Sequence, residues 1–280
     1  PRATVFCFYR AGVRGTIRAV MVTLETPVSR YMSSPVRTIA PEAPLSDAYK
    51  VLREHAISCL AVARSDGKPL GVLTRTDLLR VGRVTVAHAR RAPLMELPDQ
   101  KVEHVMHAGL VSVAPDATVR DAARVMVAQH IHRVFVTKGD ALAGVFSTRD
   151  VMQALREAKV RAPLSDYMSS PVVSVRTTDS LAHAVDALRE AQVGGLVVTD
   201  EDERPVGVFT QVEALQARDA HASDPIEDWM NPAMLCMDLK TPLYRAAAQA
   251  AATAPRRVVA VEGRRVWGIL TGIDFARAAL

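Results

Sequence analysis

Apolar residues recur at helical spacing, every three or four positions, in four stretches of the chain. A turn of polar residues and proline precedes several of them, such as Ala-Pro-Asp at 114–116, and such turns can end a strand and begin a helix. The spacing therefore predicts four amphipathic helices. Their apolar stripes are Leu45, Ala48 and Leu52; Val119, Ala122 and Met126; Leu181, Val185 and Leu188; and Leu243, Ala246 and Ala250.

Strand patterns flank these helices. A short alternating stretch such as 111–113 precedes the helix, and two β-rich runs such as 134–136 and 144–146 follow it. A polar turn joins the two runs. A second helix is predicted to begin at the Ser or Thr that comes directly after them. Each stretch should therefore fold as a β-α-β-β-α unit, and neighbouring units must cover one another's helices.

Two signals recur in register across the four units. A methionine opens each unit, at Met32, Met106, Met168 and Met230. An anchor motif of Gly, two apolar residues, Ser or Thr, two further residues and an acid closes it, at 71–77, 144–150, 207–213 and 268–274. The anchor glycines lie 73, 63 and 61 residues apart. This recurrence predicts tandem repeats.

The repeats are placed at residues 25–82, 102–158, 159–220 and 221–280, called units 1 to 4, with a linker at 83–101. Residues 1–24 are interpreted as a basic N-terminal arm that is either disordered or not native. The charge supports this division. The formal net charge is +5, but the first twenty residues hold four arginines and no acid, which leaves 31 basic against 30 acidic residues. The repeat body is nearly neutral and does not favour nucleic-acid binding.

Composition limits the remaining classes. The chain is 49% hydrophobic and 23% charged, which is typical of a globular protein and argues against wholesale disorder. Cys7, Cys59 and Cys236 lie far apart and favour free thiols in a reducing cytoplasm. No run approaches the ~18–20 apolar residues of a membrane span. We expect a cytoplasmic protein without a membrane partner.

At the anchor motifs the chain resembles the CBS-domain family, the cystathionine-β-synthase-type regulatory repeats, over residues from about 28 to 278. The resemblance implies an α+β fold of four tandem repeats, paired 1 with 2 and 3 with 4 into two Bateman modules that form a disc within one chain. It also implies that clefts between paired repeats bind an adenine nucleotide (AMP, ADP or ATP, with or without Mg²⁺) or another adenosyl ligand such as S-adenosylmethionine. No other cofactor is required.

The anchor residues are the first candidates for ligand contact. A hydroxyl at a helix N-terminus can hold a phosphate oxygen, and a carboxylate one turn later can accept hydrogen bonds from a ribose diol. The same pattern is also an ordinary capping box, an alternative that stays open. Unit 3 departs from the pattern with Glu213. The candidates are Thr74, Asp77, Ser147, Asp150, Thr210, Thr271 and Asp274.

Basic pairs at matching places form the second set. His132 and Arg133, and Arg256 and Arg257, stand eleven to twelve residues before an anchor glycine. The resemblance places this strand edge near the ligand phosphates, which arginine can bind bidentately. An exposed strand end is the alternative. Three further hydroxyls, six residues after a methionine, are predicted either to contact sugar or base or to be small side chains packed in a strand: Thr38, Ser112 and Ser174.

The predicted function is a non-catalytic regulatory module that signals in trans to a separate partner protein through a conformational shift. A homodimer is compatible with it. A ligand-free assembly scaffold is the alternative, and nucleic-acid binding is a weaker one. An enzyme is not predicted, because no nucleophile–base or acid–base pair stands at recognisable spacing. A metal site is not predicted either, because no third ligand joins His104 and His107.

Overall fold

A computed structural model describes residues 23–84, 95–253, 257–263 and 265–280 of the chain. Within these ranges the four units share the predicted order of strand, helix, strand, strand and helix. The predicted basic arm lies outside the described residues, except for its last two positions. In each unit the first strand runs parallel to the second, and the second runs antiparallel to the third.

The first two units and the connection between them have the following bounds. Unit 1 contains β1 (Thr38–Ile39), α1 (Leu45–Glu54), β2 (Cys59–Ala63), β3 (Pro69–Thr74) and α2 (Arg75–Val81). The connection contains the antiparallel pair β4 (Arg83–Val84) and β5 (Met95–Glu96), and then β6 (His107–Ala108). Unit 2 contains β7 (Ser112–Val113), α3 (Val119–Ala128), β8 (Arg133–Lys138), β9 (Ala141–Ser147) and α4 (Thr148–Glu157).

The last two units repeat this order. Unit 3 contains β10 (Ser174–Arg176), α5 (Leu181–Glu190), β11 (Gly195–Thr199), β12 (Pro205–Thr210) and α6 (Gln211–Gln216). Unit 4 contains β13 (Cys236–Asp238), α7 (Leu243–Ala252), β14 (Val258–Glu262), β15 (Arg265–Leu270) and α8 (Gly272–Arg277). No helix among the described residues is both long and apolar enough to cross a bilayer.

The predicted apolar stripes form the buried faces of α1, α3, α5 and α7. All but one of their residues have no exposed surface, as at Leu45 and Met126, and the exception, Leu188, is only 2% exposed. Burial of such side chains supplies the main favourable term of folding, about 1.5–3 kcal/mol for each large one. The helical spacing in the sequence therefore predicted the buried residues of these four helices correctly.

A segment at the start of each unit packs on a different unit. We call these the exchanged segments: 27–33 lies on unit 2, 101–108 on unit 1, 163–169 on unit 4, and 225–231 on unit 3. Each begins beside the first helix of the unit that receives it and ends beside that unit's third strand. Ser33, for example, exchanges backbone hydrogen bonds with Val145 at 2.9 and 3.0 Å.

The methionine of an exchanged segment contacts the anchor glycine of the receiving unit. A Cβ atom on Gly144 would lie 2.5 Å from Met32 Sδ, and one on Gly268 would lie 2.6 Å from Met168 Sδ. These glycines are therefore required by close approach rather than by an unusual backbone angle. The methionines do pack at the start of each unit, as the repeat pattern indicates, but against the neighbouring unit.

Helix packing joins the units in the other combination. One hydrophobic core combines units 1 and 3, and a second combines units 2 and 4. Helix α2 packs on α6 in the first core, which we call the 1–3 side. Helix α4 packs on α7 and α8 in the second core, the 2–4 side. Exchanged segments thus join 1 with 2 and 3 with 4, while helices join 1 with 3 and 2 with 4.

Candidate functional site

The anchor hydroxyl is the N-cap of the second helix in every unit, as predicted. In unit 2, the backbone N–H and the hydroxyl of Ser147 donate to Asp150 Oδ2 at 2.7 and 2.8 Å. Equivalent bonds join Thr74 to Asp77, Thr210 to Glu213, and Thr271 to Asp274. The capping-box alternative is therefore realised in all four units, and one carboxylate oxygen of each acid serves it.

The second carboxylate oxygens of Asp77 and Asp274 also have partners within the protein. Asp77 Oδ1 lies 2.8 Å from His107 Nε2, and Asp274 Oδ1 accepts a hydrogen bond of 2.8 Å from Ser169 Oγ and one from Arg277. Asp77 and Asp274 are 2% and 1% exposed. Ribose hydroxyls at either acid would have to share or replace these partners.

His107 and Ser169 were not recognised from the sequence as neighbours of the anchors. Each directly follows the methionine of an exchanged segment, and each reaches the acid of the unit that receives the segment. A polar residue directly after the repeated methionine was a signal in the sequence that could have identified both residues. Its meaning depended on which unit receives the segment, and the repeat pattern does not specify that.

The register of the hairpins places the basic pairs beside the anchor hydroxyls. Arg133 lies opposite Ser147 in the antiparallel pairing of β8 with β9. The matching residues are Cys59 opposite Thr74 in unit 1 and Gly195 opposite Thr210 in unit 3. Arg257 directly precedes β14 in unit 4. Arg256, its predicted companion, lies outside the described residues.

The second helices of units 2 and 4 meet at their first turns. A Cβ atom on Gly272, the first residue of α8, would collide with Thr148 of α4 and would lie 3.1 Å from His132 Nδ1. The side chain of His132 therefore borders both units. The positive end of the ten-residue helix α4 points toward this junction, because its N-cap is Ser147.

Arg133 and Arg257 lie close enough to His132 for their charges to act on it, and we call these three side chains the cation cluster: His132, Arg133 and Arg257. Burial by surrounding protein, together with the charges of Arg133 and Arg257, lowers the pKa of His132 to about 4, against the opposing charge of Asp274. The residue nevertheless keeps an exposed surface, as expected in a cleft. At neutral pH His132 is therefore uncharged.

Arg133 carries a polar atom whose partner is missing. Its Nη1 atom is buried and finds no hydrogen-bond partner among the described residues. Burying such a donor without a hydrogen-bond partner costs about 1–3 kcal/mol, and more for a charged group. An anion with several acceptor oxygens would satisfy it. The side chains here therefore suit a phosphate group.

The strand-start residues occupy one equivalent place in each unit. Thr38, Ser112, Ser174 and Cys236 are the first residues of β1, β7, β10 and β13, and all four are exposed. They are not packed in the sheet interior, so that alternative is wrong. Among the described residues there is also no group of three or more His, Cys, Asp or Glu side chains arranged to hold a metal ion.

The family model of the CBS domain matches residues 28–83, 102–157 and 164–219 of this chain. Among curated proteins, the uncharacterized protein MJ1404 of Methanocaldococcus jannaschii is 23% identical over 275 residues, which cover 91% of this chain and 62% of that protein. An uncharacterized 33.4 kDa protein of Thermofilum pendens is 24% identical over 184 residues, or 61% of this chain and 57% of that protein. The chain thus spans less than two thirds of the length of these two relatives.

Two solved structures share the fold over most of this chain. Protein MJ1225 of Methanocaldococcus jannaschii, described as a candidate archaeal homologue of γ-AMPK, superposes with a TM-score of 0.77 at 16% identity and covers 91% of this chain and 100% of that one. An uncharacterized conserved protein of Pyrococcus horikoshii gives a TM-score of 0.65 at 16% identity, with the same coverage of 91% and 100%. Likeness at this identity shows the fold, and it confirms the predicted α+β class.

Proposed function

This chain belongs to the CBS-domain family, and from that premise we propose that it is a non-catalytic regulatory protein that binds an adenosyl ligand between its units. The ligand class is AMP, ADP or ATP, with or without Mg²⁺, or S-adenosylmethionine. Binding would shift the population of conformations that the chain presents to a separate partner protein.

The proposal includes four repeats in two Bateman modules. Unit 4 has the element order and the capped anchor of the three matched units, which supports counting it as a repeat. The exchanged segments join unit 1 with unit 2 and unit 3 with unit 4, which supports the pairing. Helix packing between units 1 and 3 and between units 2 and 4 supports a disc within one chain.

One observation carries the ligand proposal: the buried, unpartnered Nη1 atom of Arg133 within the cation cluster of the described chain. A ligand phosphate would accept from Arg133 and from the neighbouring His132, at the positive end of α4. Ser147 borders this position through its register with Arg133. The carboxylate of Asp150 would then accept the ribose hydroxyls.

The other predicted contacts belong to the remaining clefts. Thr74 and Asp77 would serve unit 1, and Thr271 and Asp274, with Arg256, would serve unit 4. The exposed residues Thr38, Ser112 and Ser174 would contact sugar or base. At Asp77 and Asp274 the ribose hydroxyls would share or replace the internal partners of the acid.

Isothermal titration of the full chain with AMP, ADP, ATP and S-adenosylmethionine, with and without Mg²⁺, tests the proposal. We expect binding by at least one of them, and binding about 100-fold weaker at the Arg133 site in Arg133→Ala. The matched control is Arg124→Ala in the same unit, an exposed arginine paired with Asp121. Absence of binding by all four ligands at about 1 mM, a binding free energy weaker than about −4 kcal/mol, would refute the proposal.

That result would favour the scaffold function. The internal hydrogen bonds of Asp77 and Asp274 support a scaffold, because they satisfy these acids without any ligand. A scaffold would keep the four-unit fold and respond to none of the four ligands.

A further inference from the structure

Arg257 of unit 4 extends into unit 3. Its Nη2 atom donates a hydrogen bond to the carbonyl oxygen of Gly194, and its Nε atom is buried. Gly194 directly precedes β11, the second strand of unit 3. At the same place unit 2 carries its basic pair, and unit 1 carries Ser58 and Cys59. The guanidinium therefore lies at the position where the other units place their own side chains.

Two successive glycines make room for this guanidinium. A Cβ atom on Gly194 would lie 3.0 Å from Arg257 Nη2, and one on Gly195 would lie 3.0 Å from both Arg257 Cζ and Nε. Contacts of this length are tighter than ordinary van der Waals packing. A residue with a side chain at either position would therefore compete with Arg257 for the same space.

The anchor residues of unit 3, Thr210 and Glu213, are also already hydrogen-bonded to each other. The hydroxyl and the backbone N–H of Thr210 both donate hydrogen bonds to Glu213. Burial lowers the pKa of Arg257, and the negative charge of Glu213 acts in the opposite direction. A cation beside a carboxylate offers little net positive charge to an incoming phosphate. Glu213 is the one anchor acid that is not aspartate.

We infer that Arg257 closes the cleft of unit 3 from within, so that this cleft takes no adenosyl ligand and the chain binds fewer ligands than it has units. The identity of the excluded ligand rests on the proposed function, whereas the closure itself does not. Thr210, predicted as a ligand contact, then acts only as a helix cap.

The closure is tested first without ligand. Gly194→Val should lower the Tm of the full chain by about 5 °C, because the new side chain displaces the guanidinium. In an Arg257→Ala background the same substitution should lower Tm far less, because the space is already vacant. Arg124→Ala serves as a control background, in which the full loss should persist. Equal losses of Tm in the presence and in the absence of Arg257→Ala would overturn the inference.

The second arm counts AMP sites by equilibrium dialysis. Arg257→Ala should bind one more AMP per chain than the unsubstituted protein. An unchanged number in a chain that does bind AMP would also overturn the inference. If neither protein binds AMP, the proposed function has failed for that ligand, and the thermal comparison alone decides whether Arg257 fills the cleft.

Discussion

The 2–4 side and the 1–3 side are built from the same unit, yet their helices meet differently. On the 2–4 side, α4 and α7 meet through small residues, among them Ala154, Ala246 and Ala250. On the 1–3 side, larger side chains reach across: the Tyr49 hydroxyl donates to the Leu215 carbonyl at 3.0 Å, and Arg189 Nη2 donates to the carbonyls of Leu79 and Gly82 at 2.7 Å.

The two sides also differ in the residues that lie beside their anchor hydroxyls. The first turns of α4 and α8 come close enough that only glycine fits at position 272, and the cation cluster borders that junction. On the 1–3 side, the matching residues next to the anchor hydroxyls are Cys59 and Gly195. In the function we propose, the repeat supplies the fold, while two positions at the start of its second strand set its affinity for anions.

The largest expected effect tests the packing half of the comparison. Leu188→Ala on the 1–3 side should reduce the free energy of unfolding by about 3 kcal/mol, because it leaves a cavity in a core of large side chains. Unit 4 naturally carries Ala250 at the equivalent position. Denaturant unfolding measures the loss, and Arg124→Ala should stay within about 0.5 kcal/mol of the parent. A cost below about 1 kcal/mol would mean that the two sides are packed alike.

The next effect tests the electrostatic half. Arg133→Ala should weaken ligand affinity about 100-fold, since it removes a charged donor from the proposed phosphate site. Cys59→Ala at the matching position of unit 1 should leave this affinity unchanged. Isothermal titration compares the two variants. Similar losses in both would show that the two sides bind ligand equally.

A smaller effect separates capping from ligand contact. Ser147→Ala and Thr74→Ala each remove an N-cap hydroxyl and should each cost about 1 kcal/mol of stability. Only Ser147→Ala should also weaken binding at the Arg133 site, because Ser147 lies opposite Arg133, whereas Thr74 lies opposite Cys59. Thermal melts and titrations on the same preparations measure both quantities. If the two variants change affinity to the same extent, the hydroxyl of Ser147 has no special role.

The smallest effect concerns pH. The folded pKa of His132 is about 4, below its ordinary value of 6.5, so the unfolded state binds more protons between these values. Stability contributed by neutral His132 should therefore be complete above about pH 6.5 and decline as pH falls toward 4. His132→Asn should flatten the dependence of Tm on pH in this window, whereas the exposed His104→Asn should not. A parallel profile in His132→Asn would contradict the assigned environment.

Local features of the structure could be predicted from the sequence. Helical spacing identified the buried faces of α1, α3, α5 and α7, because burial of one face imposes that period. The Ser or Thr of the anchor motif identified the start of each second helix, because capping depends on residues three positions apart. The fixed spacing of Arg133 from Gly144 marked it as a matched position of the repeat, and the hairpin register then places it opposite Ser147, a neighbour that was not predicted.

Long-range features could not be predicted in this way. The contact between His107 and Asp77 joins residues whose proximity depends on which unit receives an exchanged segment. The insertion of Arg257 beside Gly194 depends on contact between two units, while the sequence alone made Arg257 a phosphate contact. A repeat pattern describes each unit separately, and such contacts are decided by how the units assemble.

The exchanged segments also set an order in which the chain can be completed as it leaves the ribosome. The segment 101–108 finds its receiving strand, β3, already synthesised, and can pair with it at once. The segment 27–33 must wait for β9, since Met32 contacts Gly144, 112 positions later. The same asymmetry holds for units 3 and 4. Within each pair, the unit made first therefore receives its segment from the unit made second, and neither is a finished structure until both have emerged.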